Sequence, residues 1–514
     1  MSRKFNRKPG IEEVSPVRRR EFMRFVATVL AAPAIPAAVR FAMNEQLFGE
    51  AQAFGVESSL PTYFIEINLR DQWDFGHVFV PPGIAQNVAS MTRGGSADAL
   101  SLFFTADQIT AHGNNFYLTP ESQVLVPHLD NIAVVETNQL CEGAIHGHEA
   151  CNPMRSPGRT KSQDPGKQAV WTNEPGYGEQ GNDYWYSSTP TPATLHNYWQ
   201  RQLAPELHTG VTMKFISRFH SVCHYGAGLP NAELMRIQSV QGLFDGFPDT
   251  AEELALATPA ESEVFGKALQ RADAGFFKRH GYDQTAHTTH DERLALAQGR
   301  WYHVPKIVSM PFIEEEIAYW QAGVPDQVGD NKKANIWEQA GWAFKLLSND
   351  VTRSVSLEFD YLDVHDTREQ SVMSTMAAQS AIPLARLIES IKAVPGMWER
   401  TAIAIYSADG GRSPSANSYG NEGKNTFVLA GGMVKGGYFG DVRVAGNTGS
   451  GHYWSYFSPD ESGAPTIAVG GDGSGRLDGS RTWRTVMRAL QTPDDVIAEF
   501  PDVASAQPLS FMLT

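Results

Sequence analysis

Two segments indicate the fold class: Arg353-Ser-Val-Ser-Leu-Glu-Phe-Asp-Tyr-Leu-Asp-Val-His365 and, later, Thr401-Ala-Ile-Ala-Ile-Tyr-Ser-Ala-Asp409. Each is an apolar, β-branched run that ends in acidic residues, and a helical pattern from about 369 to 393 lies between them. A strand, a helix and a second strand form a β-α-β unit, whose crossover makes the two strands parallel. The sequence therefore predicts an α/β fold with a mostly parallel sheet.

The ends of these two strands carry the residues with the most evident chemistry. Parallel strands finish at the same edge of a sheet, and ligands of open α/β sheets bind at that edge. If the two strands are neighbours, Asp363, His365 and Asp409 converge, and two carboxylates with an imidazole can hold a divalent metal ion. The alternative is a turn in which Asp363 caps the next helix and His365 is an ordinary surface residue.

A strand predicted over 62–69 brings further acids towards the same edge. Asp71 and Asp74 follow it directly, either as a third carboxylate of the site or as part of a polar strand-to-loop turn. The remaining periodicity predicts strands at 131–136 and 426–430 and helices at 249–299, 312–322, 334–347 and 480–491.

Composition limits the classes of function. The chain has 514 residues, 42% of them hydrophobic and 19% charged, which is typical of a globular protein. A net charge of −15 argues against a general nucleic-acid-binding protein, because no basic stripe is available to neutralise phosphates.

The N-terminal region resembles an export signal. Arg18-Arg-Arg-Glu-Phe-Met-Arg24 precedes a short, Ala-rich apolar run over 25–43, which is the pattern of a twin-arginine signal. Ala51-Gln-Ala53 offers a cleavage site, so we expect a signal peptide over 1–53 and passage through the twin-arginine translocase to the periplasm or the extracellular space. Alternatives are a basic tail before an amphipathic helix and a single membrane anchor. No later run of about 20 apolar residues is present, which predicts no stable membrane span after processing.

The cysteines leave two readings open. In an oxidising compartment Cys141 and Cys151 can form a disulfide and leave Cys223 unpaired. The alternative is three reduced, buried cysteines.

Three motifs together resemble a known group of proteins. They are Leu362-Asp-Val-His365, Ser407-Ala-Asp-Gly-Gly-Arg-Ser413 and Leu429-Ala-Gly-Gly-Met-Val-Lys-Gly-Gly437. With the export signal, they resemble an uncharacterised, sulfatase-like bacterial family that is exported by the twin-arginine route and is related to the alkaline phosphatase superfamily. The resemblance runs from about residue 60 to the C-terminus. It implies a three-layer α/β sandwich with a mostly parallel central sheet, in a single domain over 54–514 with insertions at about 155–195 and 249–299.

The resemblance also implies a chemistry. It suggests a divalent metal ion (zinc, calcium or magnesium) held by Asp71 or Asp74 with Asp363, His365 and Asp409. Ser156 matches the position of a hydroxyl nucleophile, and Arg155 is placed to contact an anionic oxygen of a small phosphate or sulfate ester.

One position departs from the family pattern. The family usually carries Asp-His before the glycine-rich strand end, whereas the interval Ser415–Asn425 contains no histidine. His452, in a later loop, is the candidate replacement. A hydrolase of phosphate or sulfate esters is therefore one hypothesis, and a catalytically degenerate periplasmic protein that binds a ligand or partner at the same edge is another. A metal-dependent oxidoreductase is a third.

Overall fold

A computed structural model describes the protein over residues 62–69, 75–87, 106–139, 211–215, 233–237, 312–326, 335–349, 353–359, 370–407, 425–444, 454–470, 474–498 and 501–514. These stretches contain a large central sheet, helices against both of its faces, and a small antiparallel sheet. None of the helices in them is long and apolar enough to cross a membrane.

The strands are short and follow the apolar runs of the sequence. They are β1 (Tyr63–Leu69), β2 (Thr110–Ala111), β3 (Tyr117–Leu118), β4 (Ile132–Gln139), β5 (Val211–Phe215), β6 (Glu233–Ile237), β7 (Ser354–Phe359), β8 (Thr401–Ser407), β9 (Asn425–Gly431), β10 (Gly437–Phe439), β11 (Asp441–Val444), β12 (Trp454–Pro459), β13 (Pro465–Ala468) and β14 (Leu477–Asp478). The helices are α1 (Pro82–Ala85), α2 (Glu314–Gln321), α3 (Ile336–Ser348), α4 (Gln370–Lys392), α5 (Gly479–Ala489), α6 (Asp494–Ala498) and α7 (Pro501–Ala504). The 3-10 segments are Phe75–His77, Ala106–Gln108, Pro120–Asn131, Trp398–Arg400 and Ser510–Met512.

The central sheet is mixed and mostly parallel. Its strand order is β10-β4-β9-β8-β1-β7-β5-β6, with β14 paired to β4. Only β9 runs against its neighbours, β4 and β8, among the pairs in the described residues. The small sheet has the order β11-β12-β13 and is antiparallel. The prediction of an α/β fold with a mostly parallel sheet is confirmed at this level.

The β-α-β unit is present but its two strands are not neighbours. Strand β7, helix α4 and strand β8 follow one another, and both strands run parallel to β1. However, β1 lies between them and pairs with each, so β7 and β8 are not the neighbours that the convergence of Asp363, His365 and Asp409 assumed. A crossover of 23 helical residues is long enough to pass over an intervening strand. The periodicity of the two strands does not indicate which strand lies between them.

Side chains alternate between two apolar cores along the strands. In β1, Ile65 and Ile67 belong to the core that includes α3 and α4, whereas Phe64 belongs to the core that includes α5. Trp342 of α3 and Trp483 of α5 are the largest fully buried side chains of the two cores. Helices therefore cover both faces of the sheet, which requires strands that are apolar on both sides.

The helices are fixed at their ends by polar contacts. Asp478 caps α5, because its Oδ1 accepts a hydrogen bond from the Ser480 backbone N–H at 2.8 Å. Arg386 of α4 donates from Nη1 to the Trp320 carbonyl oxygen at 2.5 Å and from Nη2 to the Ala322 carbonyl oxygen. These carbonyls belong to the C-terminal end of α2, where a cation is favourable.

Candidate functional site

Three neighbouring parallel strands end together at one edge of the central sheet. Leu69, the last residue of β1, is in register with Phe359 of β7 and with Ser407 of β8, which are the last residues of those strands. We call this the carboxyl edge, defined by Leu69, Phe359 and Ser407. The chain leaves all three strands at this edge. In open α/β sheets, ligands bind at the edge formed by the carboxyl ends of the strands.

The carboxyl edge continues past β8 to β4. Strand β9 is antiparallel and begins at this edge, since Asn425 is in register with Asn138 near the end of β4. Asp478, the exposed residue that caps α5, is in register with Gln139 at the end of β4. The end of β4 and the start of α5 therefore lie on the same edge as the ends of β1, β7 and β8.

The predicted site residues lie outside the described residues. They are Asp71, Asp74, Arg155, Ser156, Asp363, His365, Asp409 and His452, and the same holds for Cys141, Cys151 and Cys223. The signal peptide over 1–53 and the insertions at about 155–195 and 249–299 also lie outside them. These assignments stay predictions, as does the single domain over 54–514. In the part of the chain that the structure describes, no group of three or more His, Cys, Asp or Glu residues is arranged to hold a metal ion.

A buried carboxylate and a tyrosine join β1 to β8 just before the carboxyl edge. Glu66 is fully buried, and the Tyr406 hydroxyl donates a hydrogen bond to its Oε1. The Tyr406 ring stacks on Phe427 at 6.1 Å between centroids and meets Trp483 edge-on at 6.0 Å. Because a buried carboxylate is costly without donors, this contact stabilises an acid within an otherwise apolar strand.

A second buried glutamate lies in the second half of β4. Glu136 is 3% exposed; it accepts a hydrogen bond from the Tyr438 hydroxyl of β10, and the Thr426 hydroxyl of β9 lies 3.0 Å from its Oε2. This pair also joins two parallel strands, β4 and β10, but Tyr438 is in register with Val134, so here the glutamate lies two residues nearer the carboxyl edge than its tyrosine. The two pairs are thus alike in chemistry and differ in their place along the sheet.

The backbone at the end of β4 is irregular. Thr137 has a φ of +66°, a left-handed conformation that is unfavourable for a β-branched residue, and the pairing with β9 shifts register there. Its hydroxyl hydrogen-bonds with that of Ser458 in β12. The Thr482 hydroxyl of α5 donates to Asn138 Oδ1 at 2.5 Å. These contacts attach α5 and the small sheet to the carboxyl edge.

The glycine-rich motif Gly431-Gly-Met-Val-Lys-Gly-Gly437 has a structural explanation. A Cβ added to Gly431 would overlap the Thr401 carbonyl oxygen, and one on Gly432 would lie 2.5 Å from Glu399 Cα. A Cβ on Gly436 would overlap the Leu129 carbonyl oxygen. The glycines permit close backbone packing at the end of β9, which is opposite the carboxyl edge. This motif therefore does not contribute to the candidate site.

A titratable cluster also lies away from the carboxyl edge, where the Pro120–Asn131 segment meets the end of α4. His128 Nδ1 is 3.5 Å from Lys392 Nζ, and His128 Nε2 is 3.7 Å from Glu389 Oε1. Burial lowers the pKa of His128, and the charge of Lys392 lowers it further. Burial also lowers the pKa of Lys392. The cluster favours a neutral imidazole beside a lysine.

No family model, curated protein or solved structure matches the chain. The sulfatase-like resemblance therefore rests on the quoted motifs alone.

Glu66 and Glu136 lie outside the motifs that predicted the site. Each is an acid inside an apolar, β-branched strand, in Tyr-Phe-Ile-Glu-Ile-Asn-Leu69 and in Ile-Ala-Val-Val-Glu-Thr-Asn-Gln139. An acid within a strand that is buried on both faces needs a hydrogen-bond donor, and this was the available signal.

Proposed function

We propose that the protein is an exported, metal-dependent hydrolase of small phosphate or sulfate esters, with its site at the carboxyl edge. The proposal includes an alkaline-phosphatase-like, three-layer sandwich and export by the twin-arginine translocase to the periplasm or the extracellular space. A mixed, mostly parallel sheet with helices on both faces supports this architecture.

The observation that carries the proposal is the common end point of β7, β1 and β8. Asp71 follows Leu69 by two residues and Asp409 follows Ser407 by two, and a link of two residues spans at most about 7 Å. Asp363 follows Phe359 by four residues and is limited to about 14 Å. Neighbouring strands are about 4.8 Å apart, so the three acids can reach one common point.

The donor set suits a hard or borderline divalent cation. Carboxylates from Asp71, Asp363 and Asp409 with the imidazole of His365 match zinc, and the oxygen donors also match calcium or magnesium. A bound cation would supply stabilisation of the charge that develops on the ester oxygens. Ser156 is the proposed nucleophile, and Arg155 the residue that orients the anionic group through its planar guanidinium.

A second candidate function is supported by the missing histidine in the interval Ser415–Asn425. In this alternative the carboxyl edge binds a ligand or a periplasmic partner and catalyses nothing. Both candidates use the same edge and are separated by one experiment.

The test is elemental analysis of the full chain as isolated from the compartment to which it is exported, with hydrolysis of a panel of aryl phosphates and aryl sulfates. Asp363→Ala is expected to lose metal and to reduce ester hydrolysis by at least about a hundredfold, because one ligand of the site is removed. Asp495→Ala is the matched control, since Asp495 is an exposed acid of α6, and α5 leads to α6 away from the carboxyl edge.

The outcomes are distinct. Metal in the wild type with hydrolysis that only Asp363→Ala removes supports the hydrolase. Metal-free wild-type protein that cleaves no ester in the panel excludes the hydrolase and favours the binding protein. Equal activity of Asp363→Ala and Asp495→Ala removes Asp363 from the site.

A further inference from the structure

The contact between Tyr406 and Glu66 crosses the β1–β8 pair diagonally. Tyr406 is in register with Asn68, whereas Glu66 is in register with Ala404, two residues further from the carboxyl edge. The hydroxyl of Tyr406 thus reaches back along the neighbouring strand to the Glu66 carboxylate. Such a bond resists sliding of one strand along the other, because a slip moves the hydroxyl away from its acceptor.

The tyrosine ring is itself held on two sides. It stacks on Phe427 of β9 at an interplanar angle of 16°, and the Trp483 indole of α5 meets it at 80°. Phe427 and Trp483 are fully buried and contact each other at 6.1 Å between ring centroids. The hydroxyl therefore has a fixed direction, and close packing prevents the ring from following a displaced carboxylate.

We propose that Glu66 and Tyr406 form a positioning pair that sets the relative placement of the last residues of β1 and β8. Through these residues the pair fixes where the chain leads to Asp71 and Asp409, the acids proposed above as metal ligands, so this inference rests on the proposed function. Glu66 and Tyr406 touch neither metal nor substrate in this scheme. They act through the strand ends, as outer-shell residues act on metal ligands.

The structure offers a matched comparison within the same sheet. Glu136 and Tyr438 are also buried and also join two parallel strands. They stand at β4 and β10, neither of which leads directly to a proposed metal ligand. If a buried Glu–Tyr contact only stabilises the fold, removing either tyrosine hydroxyl will have the same consequences. If the first pair positions ligands, only its loss will weaken metal binding.

The experiment uses the full chain after removal of metal with a chelator. Zn²⁺, Ca²⁺ and Mg²⁺ are each titrated by calorimetry into the wild type, Tyr406→Phe and Tyr438→Phe. We expect Tyr406→Phe to weaken binding of the metal preferred by the wild type by about tenfold to a hundredfold. Tyr438→Phe is expected to change this affinity by less than about twofold, since its strands do not lead directly to a proposed ligand. Glu66→Gln keeps an acceptor oxygen for the Tyr406 hydroxyl, so this variant is expected to retain most of the wild-type metal affinity.

A second measurement, hydrogen exchange of the metal-free protein, tests the pair without the proposed function. Tyr406→Phe is expected to speed exchange at the backbone amides of Asn68, Leu69 and Ser407, and Tyr438→Phe is expected to leave them unchanged. If the wild type binds none of the three metals but the two tyrosine variants differ in exchange in this way, the metal site is overturned and the strand-positioning role is supported.

The inference itself is overturned by two results. One is unchanged metal affinity and unchanged exchange in Tyr406→Phe. The other is an equal loss of affinity in both tyrosine variants, which shows a general effect of stability. If Tyr406→Phe does not fold, Glu66→Met carries the comparison, because it removes the acceptor of the Tyr406 hydroxyl and keeps a side chain of nearly the same size.

Discussion

Gly436 is predicted to be one of the least replaceable residues of the described structure. It is buried between β9 and β10, and its backbone N–H donates to the Asp130 carbonyl oxygen at 2.8 Å. A Cβ at this position would overlap the Leu129 carbonyl oxygen and lie 2.7 Å from the carbonyl carbon of Asp130 and 2.8 Å from its Cα. All these neighbours are backbone atoms, so no flexible side chain can move aside to accommodate the methyl group.

The magnitude follows from two opposing effects. Forcing an extra carbon into a close-packed site costs about 1–3 kcal/mol, and displacement of hydrogen-bonded backbone places Gly436→Ala at the upper end of that range. Replacing glycine with alanine also restricts the unfolded chain, which offsets about 0.4–1 kcal/mol. Gly436→Ala is therefore expected to lower the free energy of unfolding by about 2 kcal/mol or more.

The assay is denaturant unfolding followed by circular dichroism, and two further variants separate the causes. Gly323→Ala tests a positive φ of 68° in open space, with an expected loss of about 1 kcal/mol. Gly113→Ala tests neither effect, because nothing lies within 4 Å of its added Cβ, and it should match or slightly exceed the wild type. Should Gly436→Ala unfold at the same denaturant concentration as Gly113→Ala, the argument from close backbone approach is refuted.

Two more predictions concern charged groups. Because burial and Lys392 lower the pKa of His128 from 6.5, the unfolded chain binds a proton first as the pH falls. The contribution of His128 to stability is therefore complete above about pH 6.5 and is lost as the pH falls through its folded-state pKa. His128→Gln should flatten this part of the curve of urea midpoint against pH, and an unchanged slope contradicts the assignment. Asp441 is buried and accepts hydrogen bonds from the Gly83 N–H at 2.7 Å and from Arg443 Nε at 2.6 Å. Asp441→Asn should cost about 2 kcal/mol in the same unfolding assay at neutral pH, since the amide keeps one acceptor oxygen for the Gly83 N–H but presents no second oxygen to Arg443, and a cost no larger than that of Asp495→Asn would argue against it.

Local elements were predictable because they depend on neighbouring residues. The expected strand over 62–69 is β1, and the expected helix at about 369–393 is α4 (Gln370–Lys392). The strand ending before Ala408-Asp409 was also predicted within a residue, as β8. In each case an apolar run or a helical period of adequate length is bounded by polar or glycine residues, and these are properties of a short window of sequence.

The order of the strands was not predictable in the same way. The sequence places β7 and β8 next to each other along the chain, whereas β1 lies between them in the sheet. Which strand fills a position depends on how complete apolar faces fit against α3, α4 and α5, and on pairing between residues hundreds of positions apart. The partners of Glu66 and Glu136 follow from that pairing, since Tyr406 and Tyr438 stand on strands that only the sheet brings alongside.

For the candidate site, the types of residue were predictable from the sequence and the arrangement of the strands was not. The acids that follow the strands are visible in short stretches of sequence, in the motifs around Asp363, His365 and Asp409. The common end of β7, β1 and β8 in register at one edge, with β1 in the middle, is seen only once the sheet is assembled. Periodicity specifies the direction in which side chains point along an element, but register between distant strands is set by packing across the whole sheet.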